Sequence, residues 1–165
     1  MFNLGEAETC VCKRKGNPSN CCDGELRFQE KGKKVTLTPR RQEHAKLLVL
    51  DSCYITNKNP KCDAVFFLQT ASQGFVLLIE VKGEDIDRAF EQIRYTKENQ
   101  SQYTALKTKF IDSTGKACKE HAFIISNFQV TKIRLQQLER EHNVRVKAIL
   151  YSEATTKIPD VRDYV

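Results

Sequence analysis

The chain has 165 residues, 40% of them hydrophobic and 29% charged, a balance that suits one soluble domain with its own core and excludes wholesale disorder. Its 27 Lys and Arg against 21 Asp and Glu leave a net charge of +6, a mild excess that favours a polyanionic partner. The longest apolar runs, FVLLI and LLVL, are too short to span a bilayer, and MFNLGEAET lacks the basic and apolar regions of a signal peptide, so a cytoplasmic location and no membrane partner are expected.

Residues 1–24 are rich in Gly, Asn, Pro, Ser, Cys and Lys and show no sustained periodicity, which reads as a Cys-rich N-terminal arm or mobile leader ahead of a single domain over 25–165. Cys10, Cys12, Cys21 and Cys22 lie in this arm. Four thiolates could satisfy zinc or an iron–sulfur centre, but CVCKRKGNPSNCC lacks the usual pair separation of two to four residues, so neither is expected. The total of seven cysteines is odd, and without a secretory signal this argues for reduced thiols. Cys53, Cys62 and Cys118 read as small apolar core residues.

GELRFQEKGKKVTL, residues 24–37, has two short extended pieces around a turn at Lys31 to Lys33 and predicts a hairpin. Thr38 can then cap a helix with Pro39 at its first position, and Ala45, Leu48 and Val49 follow at helical spacing up to Asp51. A short extended CYIT and a turn at Asn57 to Pro60 lead to KCDAVFFLQ, a polar TASQG, and FVLLIEVKG, which read as a buried hairpin. A loop centred on Ala71 and Ser72 pairs residues whose numbers sum to 143, setting Asp63 opposite Glu80. Side chains alternate along a strand, so Lys82 joins Glu80 on the same face. Beyond Gly83, EDID opens a helix striped by Ile86, Ala89, Phe90 and Ile93. A strand at HAFIISNF, a helix at TKIRLQQLEREHN and a strand at VRVKAILY complete the order. The predicted class is α/β with a central mixed sheet flanked by helices.

Asp63, Glu80 and Lys82 admit two readings. Lys82 could neutralise the carboxylates in a structural ion network. Alternatively the carboxylates supply the hard oxygens that Mg²⁺ prefers, and Lys82 stabilises charge growing on a scissile phosphate. His44, His121 and His142 are scattered and match no metal motif, and Glu84, Asp85 and Asp87 suit a helix N-terminus. In the basic run KGKKVTLTPRR, Lys33, Lys34, Arg40 and Arg41 are candidate nucleic-acid contacts, against the commoner solvated basic face.

Asp63 in NPKCDAVFF, and Glu80 with Lys82 in LLIEVKG 17 residues on, resemble the PD-(D/E)xK phosphodiesterases, the restriction-endonuclease-like nucleases. The match covers residues 39 to about 127, and it departs from the family pattern where Lys61 and Cys62 separate Pro60 from Asp63. The resemblance implies an αβββαβ core, with the Asp starting the second strand and E-x-K closing the third. It implies metal ligation by Asp63 and Glu80, a catalytic Lys82, an orienting Gln92 on the following helix, and Glu43 in the first helix as a further ligand. The activity implied is a Mg²⁺-dependent nuclease, with Mn²⁺ able to substitute, acting on nucleic acid and DNA foremost, in restriction, repair, recombination or defence. A homodimer stays open. The rival is a non-catalytic module that keeps the fold to bind nucleic acid or a protein.

Overall fold

The computed structural model describes residues 1–13 and 20–165. Residues 14–19 of the expected arm lie outside the described residues. The predicted hairpin forms from β1 (Arg27–Glu30) and β2 (Lys33–Thr36), closed by Lys31 and Gly32 at φ of 48° and 76°. Two consecutive left-handed residues are what a two-residue turn needs to match strand twist, and glycine takes the second without strain.

The helix expected between Thr38 and Asp51 does not form; the stretch is β3 (His44–Val49). Leu47, Leu48, Val49 and Leu50 are all buried, Leu47 and Val49 on one face and Leu48 and Leu50 on the other. That two-sided burial has a period of two, whereas a surface helix buries a single stripe. Antiparallel pairing from His44↔Gln69 to Val49↔Ala64 then supplies the backbone partners. CYIT likewise is not a strand but part of a turn, closed by the Ile55 N–H donating to the Leu50 carbonyl at 2.8 Å.

β4 (Ala64–Gln69) and β5 (Gly74–Lys82) pair in the expected register, from Ala64↔Ile79 to Gln69↔Gly74. Asp85 caps α1 (Ile86–Asn99) by accepting the Arg88 N–H. A second helix, α2 (Ser101–Thr114), was not predicted; it precedes β6 (Cys118–Ser126), α3 (Lys132–His142) and β7 (Ala148–Tyr151). The result is a mixed sheet of order β3-β4-β5-β6-β7, antiparallel from β3 to β5 and parallel from β5 to β7. The buried apolar residues of all three α-helices join the core cluster on one sheet face, with Val65, Phe67, Val76 and Leu78. The other face is covered by Phe28 and Val35 of the hairpin and Val161 near the C-terminus.

The described part of the arm is packed rather than mobile. Phe2, Leu4, Ala7 and Cys10 are buried in the helical-side cluster, and the Phe2 ring meets Phe110 edge-on at 4.8 Å between centroids. The thiols expected to be reduced are partly paired: Cys10 is bonded to Cys53 and Cys12 to Cys22. Spacing alone hid this, because the partner of Cys10 lies 43 residues away. Among the described residues no helix is long and apolar enough to cross a membrane.

Candidate active site

Asp63 lies immediately before β4, and Glu80 and Lys82 close β5, so the observed register brings all three to one end of neighbouring strands. The backbone fixes Asp63 firmly. Its N–H donates to the Ile79 carbonyl at 3.1 Å, its carbonyl accepts the N–H groups of Leu50 and Asp51, and its Oδ2 accepts the Val81 N–H at 2.7 Å. Glu80 has 0% exposure, and Lys82 Nζ stands 3.4 Å from Glu80 Oε1. That contact is an ion pair without hydrogen-bond geometry. Among the described residues neither carboxylate oxygen of Glu80 receives a hydrogen bond.

A fourth participant comes from the hairpin. Glu30, the last residue of β1, lines one cavity with Asp63, and its charge helps to raise the Asp63 pKa. Burial, then the Glu30 charge, push Asp63 up to about 8, against the lowering effects of the Val81 N–H and Lys82. Burial followed by the Asp63 charge pushes Glu80 well above the usual carboxylate range. Two buried carboxylates, with Glu30 close by, thus meet a single ammonium at Glu80, and burial favours the protonated forms of Asp63 and Glu80. A cavity of about 330 Å³, lined in part by Glu30, Asp51, Cys53 and Asp63, opens beside the cluster.

The remaining sequence candidates scatter. Gln92 on α1 donates from Nε2 to the Lys61 carbonyl at 3.0 Å, beside the Asp63 segment, while its Oε1 is buried without a hydrogen bond among the described residues. Glu43 stands apart from the cluster, because the strand that replaces the expected helix runs it to the far end of the sheet, next to His44↔Gln69. There it is held by Arg162, with Oε1 to Nη2 at 2.7 Å and Oε2 to Nε at 2.9 Å. Arg40 and Arg41 share that far end and are exposed. Lys34 is paired with Asp23 at 2.6 Å. Lys33 is 8% exposed and lines a groove near the site end of the sheet with Lys31 and Asn127.

No family model, curated protein or solved structure matches this chain. Among the described residues the group of three that has metal-ligand spacing is Asp87, Glu141 and His142, and there Asp87 is already paired with Arg134 at 3.0 Å and His142 at 3.1 Å. Glu30 is the participant that sequence reasoning missed. Nothing in its local sequence marks it, since the fold of the hairpin over the sheet alone carries it to Asp63.

Proposed function

We propose that this chain is a Mg²⁺-dependent phosphodiesterase of the PD-(D/E)xK type, hydrolysing DNA. The observation that carries the reading is Glu80: a fully buried carboxylate, both of whose oxygens lack a hydrogen bond, beside a second buried carboxylate. An anion in that position is costly unless a cation completes its shell. Asp63, Glu80 and Glu30 offer the hard oxygens that suit Mg²⁺ or Mn²⁺. When bound, such an ion lowers the pKa of a water and neutralises charge on phosphoryl oxygens.

The chain's own residues supply the rest. Lys82, partly exposed beside Glu80, is placed to orient the attacking water or to stabilise the pentacoordinate phosphorane's growing charge. Gln92 steadies the 61–63 segment through the Lys61 carbonyl. The nuclease core of the family is supported by the position of Asp63 before the second strand of the main sheet and of Glu80-Val81-Lys82 at the end of the third. The first core helix is missing, and Glu30 of the hairpin takes the acidic place that Glu43 was expected to fill.

The test is cleavage of plasmid and oligonucleotide DNA with and without Mg²⁺, for the wild type, Asp63→Asn and Glu80→Gln. Cleavage that needs the ion and is lost in both variants is the expected result. A folded wild type that cleaves neither DNA form with Mg²⁺ or Mn²⁺ would overturn the reading in favour of a binding module.

A further inference from the structure

Eight of the nine phenylalanines are buried; the exception, Phe128, is 47% exposed. It is also tied to the candidate site. The Ser126 hydroxyl, fully buried, donates to the Gly83 carbonyl at 2.9 Å and accepts the Phe128 N–H at 2.9 Å, so the loop bearing Phe128 is anchored on the residue after Lys82. A second exposed aromatic stands nearby. The parallel register sets Lys82 beside Ser126 and Ser126 beside Tyr151, and residues paired this way point to one face of a sheet. Two strand spacings separate Lys82 from Tyr151, roughly 10 Å. Tyr151 is 40% exposed.

Round the sheet end, on the hairpin side, a groove of about 320 Å³ lies between the hairpin turn and the segment after β7, lined by Lys31, Lys33, Asn127, Ser152 and Glu153 among others. Lys31 is exposed and Lys33 largely buried there, on a chain whose net charge is +6. Flat, anchored aromatic faces beside lysines suit a strand whose bases are unstacked, since each base has a π-face and each phosphate a negative charge. Along the body of a duplex neither ring finds a base face, because the bases there already stack on one another.

We infer that Phe128 and Tyr151 form a stacking surface at the carboxyl end of β5, β6 and β7 that binds unpaired bases of single-stranded DNA and leads the strand to the Asp63–Glu80–Lys82 site. This rests on the phosphodiesterase reading and deepens it by naming the form of substrate. Fluorescence anisotropy in a metal chelator would test it, with a labelled single-stranded oligonucleotide and its blunt duplex, on the wild type, Phe128→Ala, Phe128→Trp and Tyr151→Ala. Loss of one stacked base should weaken binding of the single strand roughly tenfold in each alanine variant, with duplex binding unchanged and the tryptophan variant equal to wild type. Equal losses on strand and duplex, unchanged strand affinity, or a wild type that does not bind the strand would each overturn the inference. Because the chelator removes catalysis, a protein that shows the stacking pattern yet never cleaves with Mg²⁺ fails only the phosphodiesterase reading. One that cleaves while Phe128→Ala and Tyr151→Ala keep full strand affinity fails only the stacking surface.

Discussion

At the scale of single residues, Lys82 separates a catalytic cluster from an ion network. Its ammonium faces a carboxylate that has 0% exposure, while the Lys82 side chain itself keeps 24% exposure and so can reach a ligand. On the phosphodiesterase reading, Lys82→Met removes a charge aimed at the transition state, so Mg²⁺-dependent cleavage should fall roughly a hundredfold or more with Mg²⁺ still bound. If Lys82 only neutralised its neighbours, the variant would instead lose on the order of 3 kcal/mol of stability, measured by denaturant unfolding in Mg²⁺. The protons tell a related story. Asp63 and Glu80 both have folded pKa values raised above their unfolded ones, by burial first and by neighbouring carboxylates second, Asp63 to about 8. The folded state therefore binds protons more tightly, and the stability this gives is complete below the unfolded pKa near 4 and is lost as the pH rises through about 8. In chelator the melting temperature should drop between about pH 5 and pH 8, and Mg²⁺ should reverse the drop at the upper end. Glu43 works in the opposite sense: the Arg162 hydrogen bonds lower its pKa, so its contribution is lost only in acid, below that window. A melting temperature that is flat across the window in chelator would contradict the buried acidic pair.

At the scale of elements, β3 is where sequence and structure part. Thr38-Pro39 is a sound helix start, and Ala45, Leu48 and Val49 do fall at helical spacing, but four consecutive buried residues from Leu47 to Leu50 satisfy a two-sided strand as well. The deciding partner, β4, lies beyond the 50–63 turn and leaves no mark in the local pattern. The β4–β5 register was legible for the converse reason. A short loop and two continuous apolar runs leave one alignment that keeps Glu80 beside Asp63. The signal for α2 was present in Tyr103, Leu106 and Phe110, spaced three and four, though diluted by a polar sequence. Of the site, the trio was readable because it sits at the ends of those two strands, whereas Glu30 depends on packing of the hairpin. The misplaced element carries a prediction with it. Glu43→Gln should leave Mg²⁺-dependent cleavage within about twofold of wild type while lowering stability by about 2 kcal/mol, since it breaks a charged pair to Arg162 whose side chains are 9% and 10% exposed. A large loss of cleavage at unchanged stability would return Glu43 to the site.

At the scale of the whole molecule, residues 1–13 act as a strap packed against the sheet. Phe2 and Leu4 fill the helical-side core, and Cys10 bonds to Cys53 in the turn that follows β3. That turn reaches the site through two hydrogen bonds, from Leu50 N–H at 2.9 Å and Asp51 N–H at 3.2 Å to the Asp63 carbonyl. Cys53 also lines the cavity beside Glu30 and Asp63. The bond therefore ties the arm, the core and the acidic cluster together, which a free thiol would not do. Closing a loop with a sequence separation of 43 residues restricts the unfolded chain, and the chain-entropy model puts the gain at roughly 4 kcal/mol, with measured values more often about 2 to 4. Cys53→Ser should accordingly lower the unfolding free energy by about 2 to 4 kcal/mol relative to the unreduced wild type. It should also weaken the stabilisation that Mg²⁺ confers, because Asp63 loses the fixed turn behind it. Denaturant unfolding with and without dithiothreitol, each with and without Mg²⁺, reads both effects. Wild type that unfolds identically in reductant would show that the Cys10–Cys53 bond contributes nothing in solution, and the strap would then rest on its buried Phe2, Leu4, Ala7 and Val11 and on the Glu8–Lys46 ion pair.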